Sequence, residues 1–117
     1  MPHDLITLRH MNPDNRLKTV SKLLADNYSQ KILTTTYSTA MSAQRISKVC
    51  KIPIAACYRR IHDLETAGLL RIENEEEVAK GRKVRMYKCR LKSAAIEFAG
   101  GEFAMDYNTA EIDGDEY

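Results

Sequence analysis

The sequence predicts a mainly α domain with a small β component, an α+β fold. Apolar residues recur at three- and four-residue spacing from Leu17 to Leu64, and the pattern turns extended after Gly68. The chain's 117 residues, 44% of them hydrophobic, suffice for one domain with its own core and no stapling disulfide or metal. With no Trp and only two Phe, that core is expected to be aliphatic. No run approaches the roughly 18 apolar residues of a spanning helix, and the first residues lack the apolar centre of a signal peptide. A soluble cytoplasmic protein with no membrane partner is expected.

Residues 1–14 form an N-terminal arm in which Leu5, Ile6 and Leu8 could start a strand or dock. After Pro13, Leu17, Val20, Leu23 and Leu24 mark a first short amphipathic helix. Asp26 or Asn27 can cap a second helix, with Tyr28, Ile32, Leu33 and Thr36 inward. A polar loop over 37–41 follows. Ser42 then caps a third helix whose inward positions are Ala43, Ile46 and Cys50. Pro53 suits the first position of a fourth helix, where a missing N–H costs nothing. Ile54, Cys57, Ile61 and Leu64 form its inner face, and Gly68 supplies the left-handed stop. Only about three residues separate the third and fourth helices, the spacing of a helix-turn-helix.

Beyond Gly68, 69–72 read as a strand, 73–77 as an acidic loop, Lys80-Gly81 as a turn and 82–91 as a second strand. Two strands after a helix-turn-helix make the β-wing of a winged helix. Residues 94–98 and 102–107 flank Gly100-Gly101 as an additional C-terminal β-hairpin, with Ala99 widening the loop. The domain plan is therefore an arm at 1–14, the winged helix-turn-helix at 15–92, a hairpin and candidate dimer surface at 93–107, and an acidic disordered tail at 108–117.

The formal charge of +2 divides sharply along the chain. Residues 16–92 carry a balance of +10, residues 93–117 one of −7 and residues 1–15 one of −1. A basic body attracts polyanions, nucleic acid first among them, although a Lys-rich solvated surface would look the same. At 100° per residue from Cys57, the outward positions of the fourth helix are Ala55, Ala56, Arg59, His62, Asp63 and Thr66. Small Ala55 and Ala56 permit close approach to a groove and contact with a thymine methyl. Arg59 can reach guanine through two hydrogen bonds, and His62 a base or a phosphate. Tyr58 and Arg60 flank this face and suit backbone phosphates. Asp63 is either a cytosine contact or a local partner of an Arg. Ser42 and Gln44, at the start of the third helix, complete that side of the expected interface.

Between Lys80 and Lys92 there are seven basic residues and no acid. Lys80, Arg82 and Lys83 at the turn, with Arg85 behind them, are candidates for phosphate or minor-groove contact. The acidic run at 73–77 could instead pair with them across the strands. The expected partner is double-stranded DNA, with the helix at 53–67 in the major groove and the wing at 73–85 on the backbone. The alternative is a protein- or RNA-interaction module of a larger complex.

The three cysteines, Cys50, Cys57 and Cys89, have no metal-ligand spacing, and His3, His10 and His62 do not complete one. Free thiols in a reducing compartment are expected, with no metal and no cofactor. There is no Gly-rich phosphate loop, no paired carboxylates in an apolar setting and no nucleophile–His motif, so no enzymatic activity is expected.

The stretch from Asp26 to Ile72 resembles an archaeal ArsR-like winged helix-turn-helix regulator. The likeness lies in D-x-Y-S-x-K-I-L from Asp26, M-S-A-x-x-I-S from Met41, and I-P-x-x-x-x-Y-R-R-I-x-x-L-x-x-A-G-L-L from Ile52. Gly81 to Tyr87, G-R-K-V-x-x-Y, resembles the second wing strand, and the likeness spans about residues 16–107. It implies duplex DNA binding, transcriptional regulation and a homodimer, with Ala55, Ala56, Arg59 and the wing residues near Gly81 facing DNA. Lys51 stands where such regulators often have Gly, which implies a local departure in turn geometry. Metal-sensing relatives use paired cysteines near the fourth helix, whereas Cys57 is alone there.

Overall fold

The computed structural model describes residues 14–110 as four helices followed by two antiparallel hairpins, a small α+β fold. The expectations for 1–13 and 111–117 lie outside the described residues. The helices are α1 (Asp14–Leu24), α2 (Asn27–Thr35), α3 (Ala43–Cys50) and α4 (Ile54–Thr66). Strands β1 (Leu70–Ala79) and β2 (Arg82–Cys89) form the first hairpin; β3 (Leu91–Ala99) and β4 (Glu102–Thr109) form the second.

Local chemistry sets the helix boundaries. Asp26 caps α2 by accepting the Ser29 N–H at 2.8 Å, and Ser42 caps α3 by accepting from Arg45 at 3.2 Å. Each such cap is worth about 1 kcal/mol. Pro53 is the N-cap of α4 rather than its first residue, because its ψ of 139° is extended. After α4, the Leu69 N–H returns to the Leu64 carbonyl and the Gly68 N–H to that of Glu65, with Gly68 at φ +81°. That is a Schellman stop, and it requires a left-handed residue.

Lys51 makes the equivalent stop for α3. It adopts φ 58°, ψ 49°, and the next N–H, of Ile52, returns to the Ser47 carbonyl at 3.0 Å. The departure implied by the lack of Gly is therefore absent: Lys takes the left-handed geometry and carries its steric cost, about 1–2 kcal/mol.

The core is aliphatic. Val20, Ile32, Ile46, Cys57, Ile61, Leu64, Leu69 and Leu70 are each at most 2% exposed. Burying a side chain of Leu or Ile size contributes about 1.5–3 kcal/mol. The expected inner faces of α2, α3 and α4 are buried, with two corrections: Tyr28 is only partly buried against the core and Ile54 is 44% exposed. Ile52, in the turn, is 2% exposed and belongs to the core.

The hairpins depart most from expectation. The acidic run is not a loop: Glu73, Glu75, Glu76 and Glu77 all lie within β1, and the turn is only Lys80-Gly81. Gly81 at φ +75° allows that two-residue turn, and cross-strand positions put Glu75 opposite Arg85 and Glu77 opposite Lys83. A strand exposed on both faces needs no alternating apolar pattern, so its polarity reads as loop. Register shifts fall at Glu73 and Val78. The second strand ends at Cys89 rather than 91, since Leu91 already begins β3. The expected boundary between 92 and 93 thus cuts a strand.

In the second hairpin, Ala99 pairs with Glu102 instead of widening the loop. Gly100 and Gly101 have φ of +61° and +80°, the two left-handed residues that a tight turn needs. Strand β4 continues through Asn108 and Thr109, which were expected in the disordered tail.

Backbone bonds tie the hairpins to the helices. Met41 and Tyr87 exchange two hydrogen bonds, of 3.0 and 2.8 Å, joining the entry to α3 to the C-terminal part of β2. Buried Thr36 accepts the Cys89 N–H at 3.1 Å, and Leu69 accepts that of Arg90 at 2.9 Å. The Arg90 side chain donates to the carbonyls of Gly68, at 2.8 Å, and Ala110, at 2.7 Å.

Candidate functional site

The three-residue turn at 51–53 sets α4 against α3, and the Met41–Tyr87 bridge sets the first hairpin against the start of α3. A groove of about 330 Å³ opens where these elements meet. Its helix side is formed by Ser42, Ala43 and Gln44 at the start of α3 and by Tyr58 on α4; its hairpin side by Arg82, Lys83, Val84, Arg85 and Tyr87. Alternation along β2 places Lys83 and Arg85 on the strand face that carries buried Tyr87, hence toward the helices. Three cationic side chains and no carboxylate are among the residues lining it.

Six of the twelve residues expected to form an interface thus come together: Ser42, Gln44, Tyr58, Arg82, Lys83 and Arg85. The hydroxyl of Ser42 is already used in capping α3. Ala55, Tyr58, Arg59 and His62 follow i, i+3, i+4, i+7 spacing, and all four are exposed along one stripe of α4. Ala56 is half-buried against the core. Lys80 is exposed at the tip of the first hairpin.

Two residues have other surroundings. Arg60 is bound to Asp26 by two hydrogen bonds, Nε to Oδ2 at 2.9 Å and Nη2 to Oδ1 at 3.2 Å, and lies 5.5 Å from the ring centre of Tyr28. The Arg60 guanidinium holds the Asp26 carboxyl down to about 2, helped by the Ser29 N–H, and Asp26 in turn pushes Arg60 further up. Asp63 adds to the field at Arg60, which fits its reading as a local partner of an Arg. His62 and Asp63 line a different groove, of about 770 Å³, between α1 and the end of α4.

The acidic arm of the first hairpin only partly occupies the basic one. Glu75 approaches Arg85 at 3.9 Å with both side chains more than half exposed, a pair that water and salt screen heavily. Glu77 accepts the Gly81 N–H at 3.0 Å and so braces the turn.

Sequence reasoning missed Val84 and Tyr87 as part of the groove. Tyr87 could have been placed there from its two- and four-residue offsets to Arg85 and Lys83, once β2 was taken as regular. The Met41–Tyr87 bridge that seats it is a long-range pairing with no local signal.

Among the described residues, no three His, Cys, Asp or Glu side chains are grouped to hold a metal ion. Burial, aided by the nearby Cys50, pushes the Cys57 thiol up to about 11, and burial raises Cys89 as well. Both therefore stay protonated and poorly nucleophilic near neutral pH. None of the described helices is long and apolar enough to cross a membrane. A comparison with known protein families and with curated proteins finds no match to this chain.

Proposed function

We propose that the chain is a winged helix-turn-helix, ArsR-like transcriptional regulator that binds double-stranded DNA, and that it is cytoplasmic and without enzymatic activity. Helices α3 and α4 supply the helix-turn-helix, and the first hairpin is the wing. The observation that carries the reading is the groove between the first hairpin, the start of α3 and Tyr58 of α4, whose lining residues include Arg82, Lys83 and Arg85 and no acid. Cations set beside an exposed helix stripe match a duplex, whose backbone offers phosphates next to a major groove as wide as a helix.

In this reading the stripe Ala55, Tyr58, Arg59 and His62 enters the major groove. Arg59 is its one long cation and the candidate for a guanine contact. Arg82, Lys83, Arg85 and Lys80 lie on the phosphate backbone, and Gln44 supplies a hydrogen-bonding contact at the start of α3. Arg60 is not assigned to DNA, since Asp26 holds its guanidinium. A homodimer would set two α4 helices about one helical turn of DNA apart on a partly palindromic site.

The test is fluorescence anisotropy with mixed genomic duplex fragments across a salt series. Affinity should fall steeply with salt, log K against log salt having a slope of about −0.9 for each phosphate neutralised. Absence of binding at low salt overturns the reading and favours a protein-interaction module.

A further inference from the structure

The start of α4 exposes two large apolar side chains that the core does not cover. Ile54 is 44% and Tyr58 50% exposed, and exposed Ala55 lies beside them. Ile54 and Tyr58 are four residues apart, so their side chains are neighbours on the helix surface. At about 100° per residue they form one edge of the exposed stripe, with Ala55 and His62 in its middle and Arg59 on its other edge. The apolar edge lies on the groove side, because Tyr58 lines the groove together with Arg82, Lys83 and Arg85. A single exposed apolar residue is ordinary on a protein surface. A neighbouring pair beside a cluster of cations is less so, because a polyanion drawn to those cations must offer the pair an apolar feature.

The chemistry of base edges narrows what that pair can meet. In the major groove guanine offers two acceptors, adenine an acceptor and a donor, cytosine a donor, and thymine an acceptor with a 5-methyl group. The stripe of Ile54, Ala55, Tyr58, Arg59 and His62 contains no Asp, Glu, Asn or Gln. It therefore lacks the side chains that bond adenine through two hydrogen bonds or accept from cytosine, while Arg59 suits guanine. The apolar feature left for the pair is the thymine methyl. We propose that Ile54 and Tyr58 are specificity-determining residues that pack against thymine 5-methyl groups, so that the protein selects thymine-bearing sites. Four residues of helix advance about 6 Å, close to two base-pair steps of about 3.4 Å, so the pair matches two methyl groups near each other along the groove. This inference rests on the duplex-binding reading and deepens it. The cations hold the backbone of any sequence, whereas the apolar edge chooses among sequences.

The test enriches duplexes from a random pool with the full chain, then remakes the enriched duplex with deoxyuridine at every thymine. Deoxyuridine pairs as thymidine does and lacks only the methyl group. The uracil form should bind about tenfold more weakly, as two methyl groups taken out of water require. The slope of log K against log salt should be the same for both forms, because a methyl carries no charge. In the double variant I54A/Y58A the thymine-to-uracil affinity ratio should fall to about one, whereas Arg59→Ala should keep it. That comparison separates a methyl contact from altered duplex stiffness, which would act on every variant alike. Circular dichroism should show I54A/Y58A folded, since both side chains are about half exposed. Each single variant should lose part of the ratio, an independent reading of the same contact. Equal binding of the two forms by the unaltered protein, or a ratio that survives in I54A/Y58A, overturns the proposal and leaves duplex binding standing. Salt-dependent binding that enriches no sequence does the same, whereas no duplex binding at all overturns both readings.

Discussion

Arg60 and Asp26 clamp the fourth helix to the start of the second through two hydrogen bonds of 2.9 and 3.2 Å, with about a quarter of each side chain in water. The same carboxylate caps α2, so one group fixes a helix start and the orientation of a neighbouring helix. Asp26→Asn keeps the cap and removes the charge. It should cost about 1–2 kcal/mol at neutral pH, read from urea unfolding. The folded-state value lies near 2, below the ordinary 3.8, so this stabilisation is complete above about pH 4 and lost as pH falls toward 2. The gap between the two proteins should close over that range; a gap that persists below pH 2 would remove the clamp as its source.

Arg60 and Arg82 should separate two roles of arginine. Arg82→Ala, like Lys83→Ala, should weaken duplex binding on every sequence and reduce the magnitude of the salt slope by about one. Arg60→Ala should lower stability and leave the slope unchanged. A slope unaltered by the hairpin substitutions would take the phosphates away from the groove.

Much of the fold was legible in the sequence because helices write their packing at close spacing. Ala43, Ile46 and Cys50, and then Cys57, Ile61 and Leu64, repeat every three to four residues within their helices, and each is buried as that period requires. Asp26, Ser42 and Gly68 announce their caps within three residues of the backbone groups they serve. The hairpins were less legible. Glu73 to Glu77 lie in a strand exposed on both faces and paired with β2, and register shifts interrupt the two-residue repeat. At the site, Arg82, Lys83 and Arg85 were legible as a basic run. The fate of Arg60 was not, because its partner lies 34 residues away and the helical wheel leaves its flank ambiguous.

Lys51 and Gly68 occupy equivalent left-handed stops, and their substitutions should have opposite signs. Lys51→Gly removes steric strain at φ 58° and should stabilise the fold by about 0.5–1 kcal/mol. Gly68→Ala introduces that strain at φ +81° and should destabilise by about 1–2 kcal/mol, although the added methyl meets only ordinary contact with Arg90. Thermal melts of the two variants on either side of the unaltered protein would bear this out; shifts of the same sign would not.

Cys57 should resist alkylation in the folded state. Its thiol is fully buried and pushed up to about 11, so iodoacetamide at pH 8 should modify it only at the rate of unfolding. Peptide mapping under native and denaturing conditions tests this, and rapid native labelling at Cys57 would contradict its burial.

The Met41–Tyr87 bridge has a consequence for any ligand of the basic groove. Because two main-chain bonds hold β2 to the entry of α3, the separation of the groove's two walls is insensitive to which side chains stand along them. The loss of freedom needed to align those walls therefore falls during folding, not during association. Replacements along β2 short of Tyr87 can then change the strength of an attachment while leaving its geometry intact, so the same spacing can serve a changing set of contacts.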